Sequence, residues 1–154
     1  LIFKVISSAF ASVLMVSAAA ADCVPEEFSK DWLKNQESLG GRTLKYHVGL
    51  TMEEMEQRLN RSRRASGISS YHDFKTANYY IQEALNQNRH LFNVEWEPKA
   101  RVGAFKSLDF KTSRIIGWGV YRDEAGIIDL RRLRVVMKKT APGECMLWTS
   151  YPIR

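Results

Sequence analysis

The spacing of apolar residues divides this chain into a helical first half and a stranded second half. Over residues 24–39, Phe28, Trp32 and Leu33 fall at helical spacing, Pro25 suits a first helical turn, and Gly40-Gly41 ends the helix. A short segment, 43–48, leads through Gly49 into Thr51-Met52-Glu53-Glu54. That tetrapeptide is a capping box: the threonine hydroxyl accepts from a backbone N–H while Glu54 reaches back to the cap. Met52, Met55 and Leu59 then share one face of the helix it opens. At about 100° per residue, Arg58 lies about 60° from Met55, on the rim of the buried stripe. Arg61, Arg63 and Arg64 fall at the helix end, where cations suit the dipole and face solvent. Ser70-Tyr71-His72-Asp73 has the form of a second capping box, opening a helix to residue 88 with Phe74, Ala77, Ile81, Ala84 and Leu85 as its stripe. Residues 91–96 fold back onto that helix before Pro98 ends it.

From Arg101 the texture changes to strands. Segments 102–108 and 115–121 carry apolar and aromatic residues, with a polar connection, 109–114, between them. A turn at 123–126 leads to a long strand, 127–139. Along it the apolar positions switch from Ile128 and Leu130 to Leu133, Val135 and Met137. A one-residue switch of this kind implies a bulge or bend near Arg131-Arg132. Pro142-Gly143 turns the chain into a last strand, 145–151. By period two, Cys145, Leu147, Thr149 and Tyr151 share one face, and Met146, Trp148 and Ser150 the other. Helices first and antiparallel strands after give an α+β domain.

The first residues do not belong to that pattern. Lys4, an apolar run and Ala19-Ala20-Ala21 give residues 1–21 the form of a secretory signal peptide cleaved before Asp22, leaving one domain over 22–154. The apolar run is too short for a membrane span, so no stable membrane association is expected after cleavage. Asp22 also argues against lipidation of Cys23. In an oxidising compartment the two cysteines, Cys23 and Cys145, are expected to pair, tying the mature N-terminus to the last strand. Removing the leader takes away Lys4 and no acid, which leaves 22 Lys+Arg against 17 Asp+Glu, a net charge of +5. That balance favours an anionic partner.

Few chemistries remain. The sequence has no zinc-type Cys/His spacing, no phosphate-binding glycine loop and no nucleophile-elbow serine, so no metal or cofactor is expected. His47, His72 and His90 are the acid–base candidates; His90 lies near a helix end and His72 in a first helical turn, where surface roles are the simpler reading. Thr149 and Tyr151 present two hydroxyls on one side of the last strand, which packing alone also explains.

His47-Val48-Gly49 with Arg58 on the following helix, Ser69-Ser70-Tyr71, the Ala77/Ile81/Ala84/Leu85 helix, Ile116-Gly117 and the terminal Thr149-Ser150-Tyr151-Pro152 resemble the bacterial RNase A-like toxin domain found at the C-terminal ends of contact-dependent inhibition and other polymorphic toxin proteins. The resemblance covers residues 41–152. It implies an RNase A-like fold, with N-terminal helices packed on a curved antiparallel sheet, and a metal-independent endoribonuclease, made a secreted one by the leader, that leaves a 2′,3′-cyclic phosphate. It implies catalytic roles for His47, Arg58, Thr149 and Tyr151, and substrate contacts from Arg58, Thr149 and Ser70. It further implies RNA as substrate, an acidic immunity protein as partner, and action in the cytoplasm of a recipient cell; the chain is expected to be a monomer. The pancreatic enzymes use two histidines; here the second proton-transfer role stays open between Arg58, Tyr151 acting through a water, and His72. The alternative is a non-catalytic secreted basic domain that binds polyanions or a protein partner.

Overall fold

The computed structural model describes residues 22–154, so the expected leader lies outside the described residues. Four helices, α1 (Trp32–Ser38), α2 (Thr43–His47), α3 (Met52–Arg61) and α4 (Phe74–Gln87), are followed or interleaved by six strands. These are β1 (Gly67–Tyr71), β2 (Phe105–Lys111), β3 (Gly117–Tyr121), β4 (Ile127–Leu130), β5 (Arg132–Ala141) and β6 (Glu144–Ile153). A π-type turn, Leu91–Trp96, and a 3-10 turn, Glu97–Lys99, fold the chain back after α4. The strands make two antiparallel sheets, ordered β1-β3-β4 and β2-β5-β6, which is the α+β architecture the pattern predicts.

The helices differ from expectation where tertiary contacts override local signals. α3 opens as its capping box requires, with Thr51 Oγ1 accepting from Glu54 N and Glu54 accepting from Thr51 N. α1 begins only at Trp32, eight residues late, because the chain before it is clamped. The Asn93 side chain takes both backbone groups of Val24 (2.7 and 2.9 Å), which holds that stretch out of a helix. α4 is capped by Asp73, whose carboxylate accepts from Thr76 N at 2.7 Å. Ser70 and Tyr71 belong instead to β1, a strand whose short run of serines gave no clear period.

The strands resolve the parity switch in an unexpected way. Residues 127–139 are not one bent strand: β4 pairs with β3 in one sheet, and β5 pairs with β2 and β6 in the other. The switch marks the crossing between sheets, so each half keeps its own inward face. At the crossing, Arg131 O accepts from both the backbone and the hydroxyl of Thr112 (2.8 and 2.7 Å). β2 also starts three residues later than expected, bringing Asp109 opposite Arg134.

β6 carries the bulge that matters most for the site. Met137 pairs with Leu147 and Val136 with Thr149, so Trp148 is an extra residue on β6. The period-two reading fails there. Leu147, Ser150 and Pro152 are buried, while Trp148, Thr149 and Tyr151 are half-buried on the opposite side.

The main core lies under β5 and β6, where Leu33, Tyr71, Ile81, Leu85, Phe92, Leu133, Val135 and Leu147 gather. A smaller cluster of Met55, Leu59 and Val120 seats α3 on the other sheet. Ser150 Oγ donates to Arg134 O (2.8 Å), so Tyr71 is the donor in its 2.6 Å bond to Ser150 Oγ. Burial pushes the Tyr71 phenol well above its ordinary range, which keeps that donor protonated.

Cys23 and Cys145 are joined as expected, across 122 residues, at the start of β6. Closing a loop of that length restricts the unfolded chain, and removal of such a bridge costs about 2–5 kcal/mol. The Cys23→Ser/Cys145→Ser chain is therefore expected to unfold at a clearly lower urea midpoint than wild type, and dithiothreitol to lower the wild-type midpoint to the same value. Coincident curves with and without reductant would exclude a stabilising bridge.

Candidate active site

Three elements bring His47 to its place. It ends α2, a helix of only five residues that could not persist alone. α2 is held because the edge of β6 needs partners. Arg42 N donates to Trp148 O (2.8 Å), and Ser150 N donates to Thr43 Oγ1 (2.9 Å). After His47 the chain runs beside β1, with a parallel bridge from Val48 to Tyr71 and Gly49 N donating to Tyr71 O at 2.9 Å. Gly49 has φ +68°, a conformation that permits this turn and that side chains resist.

The imidazole is oriented as well as placed. His47 Nδ1 lies 3.1 Å from Ser69 O. A carbonyl only accepts, so Nδ1 carries the proton and the neutral ring keeps its lone pair on Nε2. Burial holds the His47 pKa down to about 4, the bond to Ser69 opposes that, and the nearby Arg58 cation lowers it further. The side chain is thus a neutral base across the physiological range.

Arg58 reaches this histidine from α3, half-buried as its rim position predicts. Its guanidinium donates to Tyr46 O and lies 5.4 Å from the centroid of the Tyr46 ring. Arg42, Tyr46, His47, Arg58, Trp148 and Thr149 line one cavity of about 380 Å³. Thr149 Oγ1 is buried there without a hydrogen-bond partner, a state that folded chains seldom leave unexplained. Tyr151 stands on the other side of the histidine, with ring centroids 5.0 Å apart. It lines a second cavity of about 410 Å³ with His47, Ser69 and Tyr121. His47 is common to both cavities, and the two together are the cleft, each cavity one lobe of it.

Four of the residues singled out in the sequence, His47, Arg58, Thr149 and Tyr151, therefore meet in the cleft. Ser70, expected at the substrate, does not. It is fully buried, with its hydroxyl proton donated to Tyr71 O and its oxygen accepting from Leu50 N, both at 2.9 Å, and it lines neither lobe. His72 packs its ring 4.7 Å from Trp118 and lines neither lobe, and His90 is exposed beside Glu95. Arg42, Tyr46 and Trp148 join the site without having been singled out. Arg42 and Tyr46 flank His47 in sequence, but Trp148 reaches the cleft only through the bulge. A larger groove of about 760 Å³, along α4 and the β2–β3 connection, has no histidine. Among the described residues no three of His, Cys, Asp and Glu gather as metal ligands would.

A family model described as the bacterial CdiA-CT RNAse A domain matches residues 41–152. Among solved structures, the chain is similar to one in the crystal structure of the CdiA-CT/CdiI complex from Y. kristensenii 33638. The identity is 22%, the TM-score 0.62, and the match covers 70% of this chain and 95% of the other. At that identity the likeness speaks for the fold. No curated protein matches.

The depressed histidine links the cleft to stability. Between the ordinary imidazole value of 6.5 and the folded value of about 4, the unfolded chain takes up a proton that the folded chain refuses. Stability is complete above the first value and falls as pH drops toward the second. In urea titrations over that window the wild-type midpoint should fall more steeply than that of His47→Asn, whose side chain does not titrate. Parallel profiles would show that His47 titrates normally.

Proposed function

The chain belongs to the family of bacterial CdiA-CT RNase A domains, and from that membership we propose that it is a toxin endoribonuclease cleaving RNA by transphosphorylation at His47, without a metal. The observation that carries this reading is a neutral histidine with Nε2 available, an arginine and an unpartnered threonine hydroxyl around one cavity.

Each group has a task in that reaction. His47 Nε2 takes the proton of the ribose 2′-OH as its oxygen attacks phosphorus. Arg58 presents forked N–H donors to the charge that develops on the phosphorane, and Thr149 Oγ1 donates to a non-bridging oxygen. The P–O5′ bond then breaks, and the leaving oxygen needs a proton. With His72 outside the cleft, the choice lies between Tyr151 and Arg58. A phenol gives up a proton far more readily than a guanidinium, which favours Tyr151. The product is a 2′,3′-cyclic phosphate and a free 5′-OH. Ser70 acts here by position: by accepting from Leu50 N it holds the turn that follows His47.

The biological setting follows from the same reading. A secreted monomer carrying +5 suits an acidic immunity protein that covers the cleft in the producing cell, and RNA in a recipient's cytoplasm as the target. The neighbouring structure is itself described as a CdiA-CT/CdiI complex, which supports a partner of that kind.

The purified mature chain should cleave RNA in EDTA and leave cyclic phosphate ends. His47→Ala should reduce kcat/KM by about 10²–10⁴-fold and Arg58→Ala by about 10²–10³-fold, with fold retained by circular dichroism. Tyr151→Phe should lose activity on RNA but keep it on a uridine 3′-nitrophenyl phosphate, whose leaving group needs no proton; His47→Ala should fail on both. RNA retention that weakens with salt, with no turnover at any pH, would instead identify a polyanion-binding domain.

A further inference from the structure

The cleft does not end at its walls. From the Arg58 lobe, rings and cations continue over the outer face of β6, β5 and β2. The Arg42 guanidinium lies 5.7 Å from the Tyr46 centroid and 5.4 Å from that of Trp148. The Lys138 ammonium stands 5.0 Å from the same Trp148 ring and 5.6 Å from Phe105. Phe105 meets Trp148 edge to face at 5.7 Å, and it pairs with Lys138 in register.

Packing does not account for this arrangement. Phe105 is 51% exposed, a large ring kept in water at the start of an edge strand. Trp148 is on this face only because the bulge adds a residue; without it, the ring would turn inward beside Ser150. Among the described residues Arg42 and Lys138 have no carboxylate within ion-pairing distance, whereas their neighbours Arg132 and Arg134 share Asp109. The charge of this strip is therefore uncompensated, while that of the adjoining strip is half offset by Asp109. A bulge, an exposed ring and two unpaired cations all serve one line of surface that begins at the proposed scissile position.

We infer that Tyr46, Arg42, Trp148, Lys138 and Phe105 form a track for the single-stranded RNA that flanks the cleaved phosphate. The inference rests on the ribonuclease reading and names its substrate more closely. Alternating phosphates and bases require alternating cations and aromatic faces, and a chain of bases stacks on rings whatever its sequence. A duplex keeps its base faces inside, so the track selects unpaired RNA. A cation lying over a ring remains able to meet a phosphate, since the ring lowers its charge little and its outer N–H groups stay in water.

The test is the affinity of the intact chain for a labelled 2′-O-methyl RNA of about twelve nucleotides, which binds but offers no 2′-OH for attack. Fluorescence anisotropy should show Kd rising about tenfold in Phe105→Ala and in Trp148→Leu, with Trp148→Phe close to wild type. Lys138→Ala should weaken binding and make it less dependent on salt. In cleavage, the preference of wild type for the long strand over a dinucleotide should shrink in Phe105→Ala, a substitution at the surface that leaves the core intact. Unchanged Kd in Phe105→Ala, Lys138→Ala and Trp148→Leu would overturn the track, and the surface would then be free for a protein partner. Absence of any RNA cleavage by wild type, with these binding losses present, would leave the track standing and remove the ribonuclease reading instead.

Discussion

The free edge of β6 is the constraint on which this site depends. A sheet edge carries backbone groups that must find partners, and here the partners come from the chain that precedes His47. Gln36 Oε1 accepts from Leu147 N at 2.8 Å, Arg42 N donates to Trp148 O, and Thr43 Oγ1 accepts from Ser150 N. The approach is close enough that Gly41 has no room for a side chain: an added Cβ would lie 2.7 Å from Gln36 O and 3.1 Å from Leu147 O. Satisfying the edge thus fixes α2, and α2 ends at the histidine. The same bonds that protect the edge set His47 against Thr149 and Tyr151. The disulfide at Cys145 anchors the beginning of that strand from a third direction.

Orientation comes from the other sheet. Ser69 O, on β1, holds His47 Nδ1, and Ser69 Oγ donates to Pro152 O on β6 at 2.6 Å. One residue therefore aims the imidazole and ties its sheet to the strand opposite. Gly117 lets the sheets meet this closely, since a Cβ there would fall 2.8 Å from Pro152 Cγ on β6, and only 2.2 Å from Ser70 O on its own neighbour β1. The cleft lies where two rigid sheets meet, with His47 belonging to neither, and this is what allows a short helix and a turn to hold its side chain in one geometry.

These facts explain what could be read from residues alone. The capping box of α3 was legible because both partners lie within one turn, and Arg58 follows from it by helix geometry. The cysteine pairing was legible because two cysteines leave one bond to make. Thr149 and Tyr151 share a side because the strand is regular beyond the bulge. Trp148 was assigned to the wrong face because a bulge is set by cross-strand register, which one strand's period does not carry. Ser70 resembled a helix cap and a substrate contact, yet its hydroxyl is consumed by Leu50 and Tyr71, partners that only the fold supplies. The parity switch at Arg131 was visible, but a bend and a change of sheet leave the same mark in sequence.

The electrostatics of the cleft turn its apparent weakness into a working principle. A base held at about 4 is a poor proton acceptor, and both causes of that depression, burial and the Arg58 charge, are built into the fold. In the proposed reaction, a phosphodiester held by Arg58 beside His47 would reverse their sense. Its negative charge would offset the arginine and stabilise imidazolium, so basicity would rise with the proposed substrate in place. Arg58 would therefore have two opposite effects on one residue: without an anion it helps keep His47 neutral, and in the proposed reaction it would bind the group that makes His47 basic. A surface histidine would begin more basic but would be protonated in acid surroundings before substrate arrived. On the ribonuclease proposal, burial beside a cation trades resting basicity for the correct protonation state, and the phosphate to be cleaved would restore what was given up.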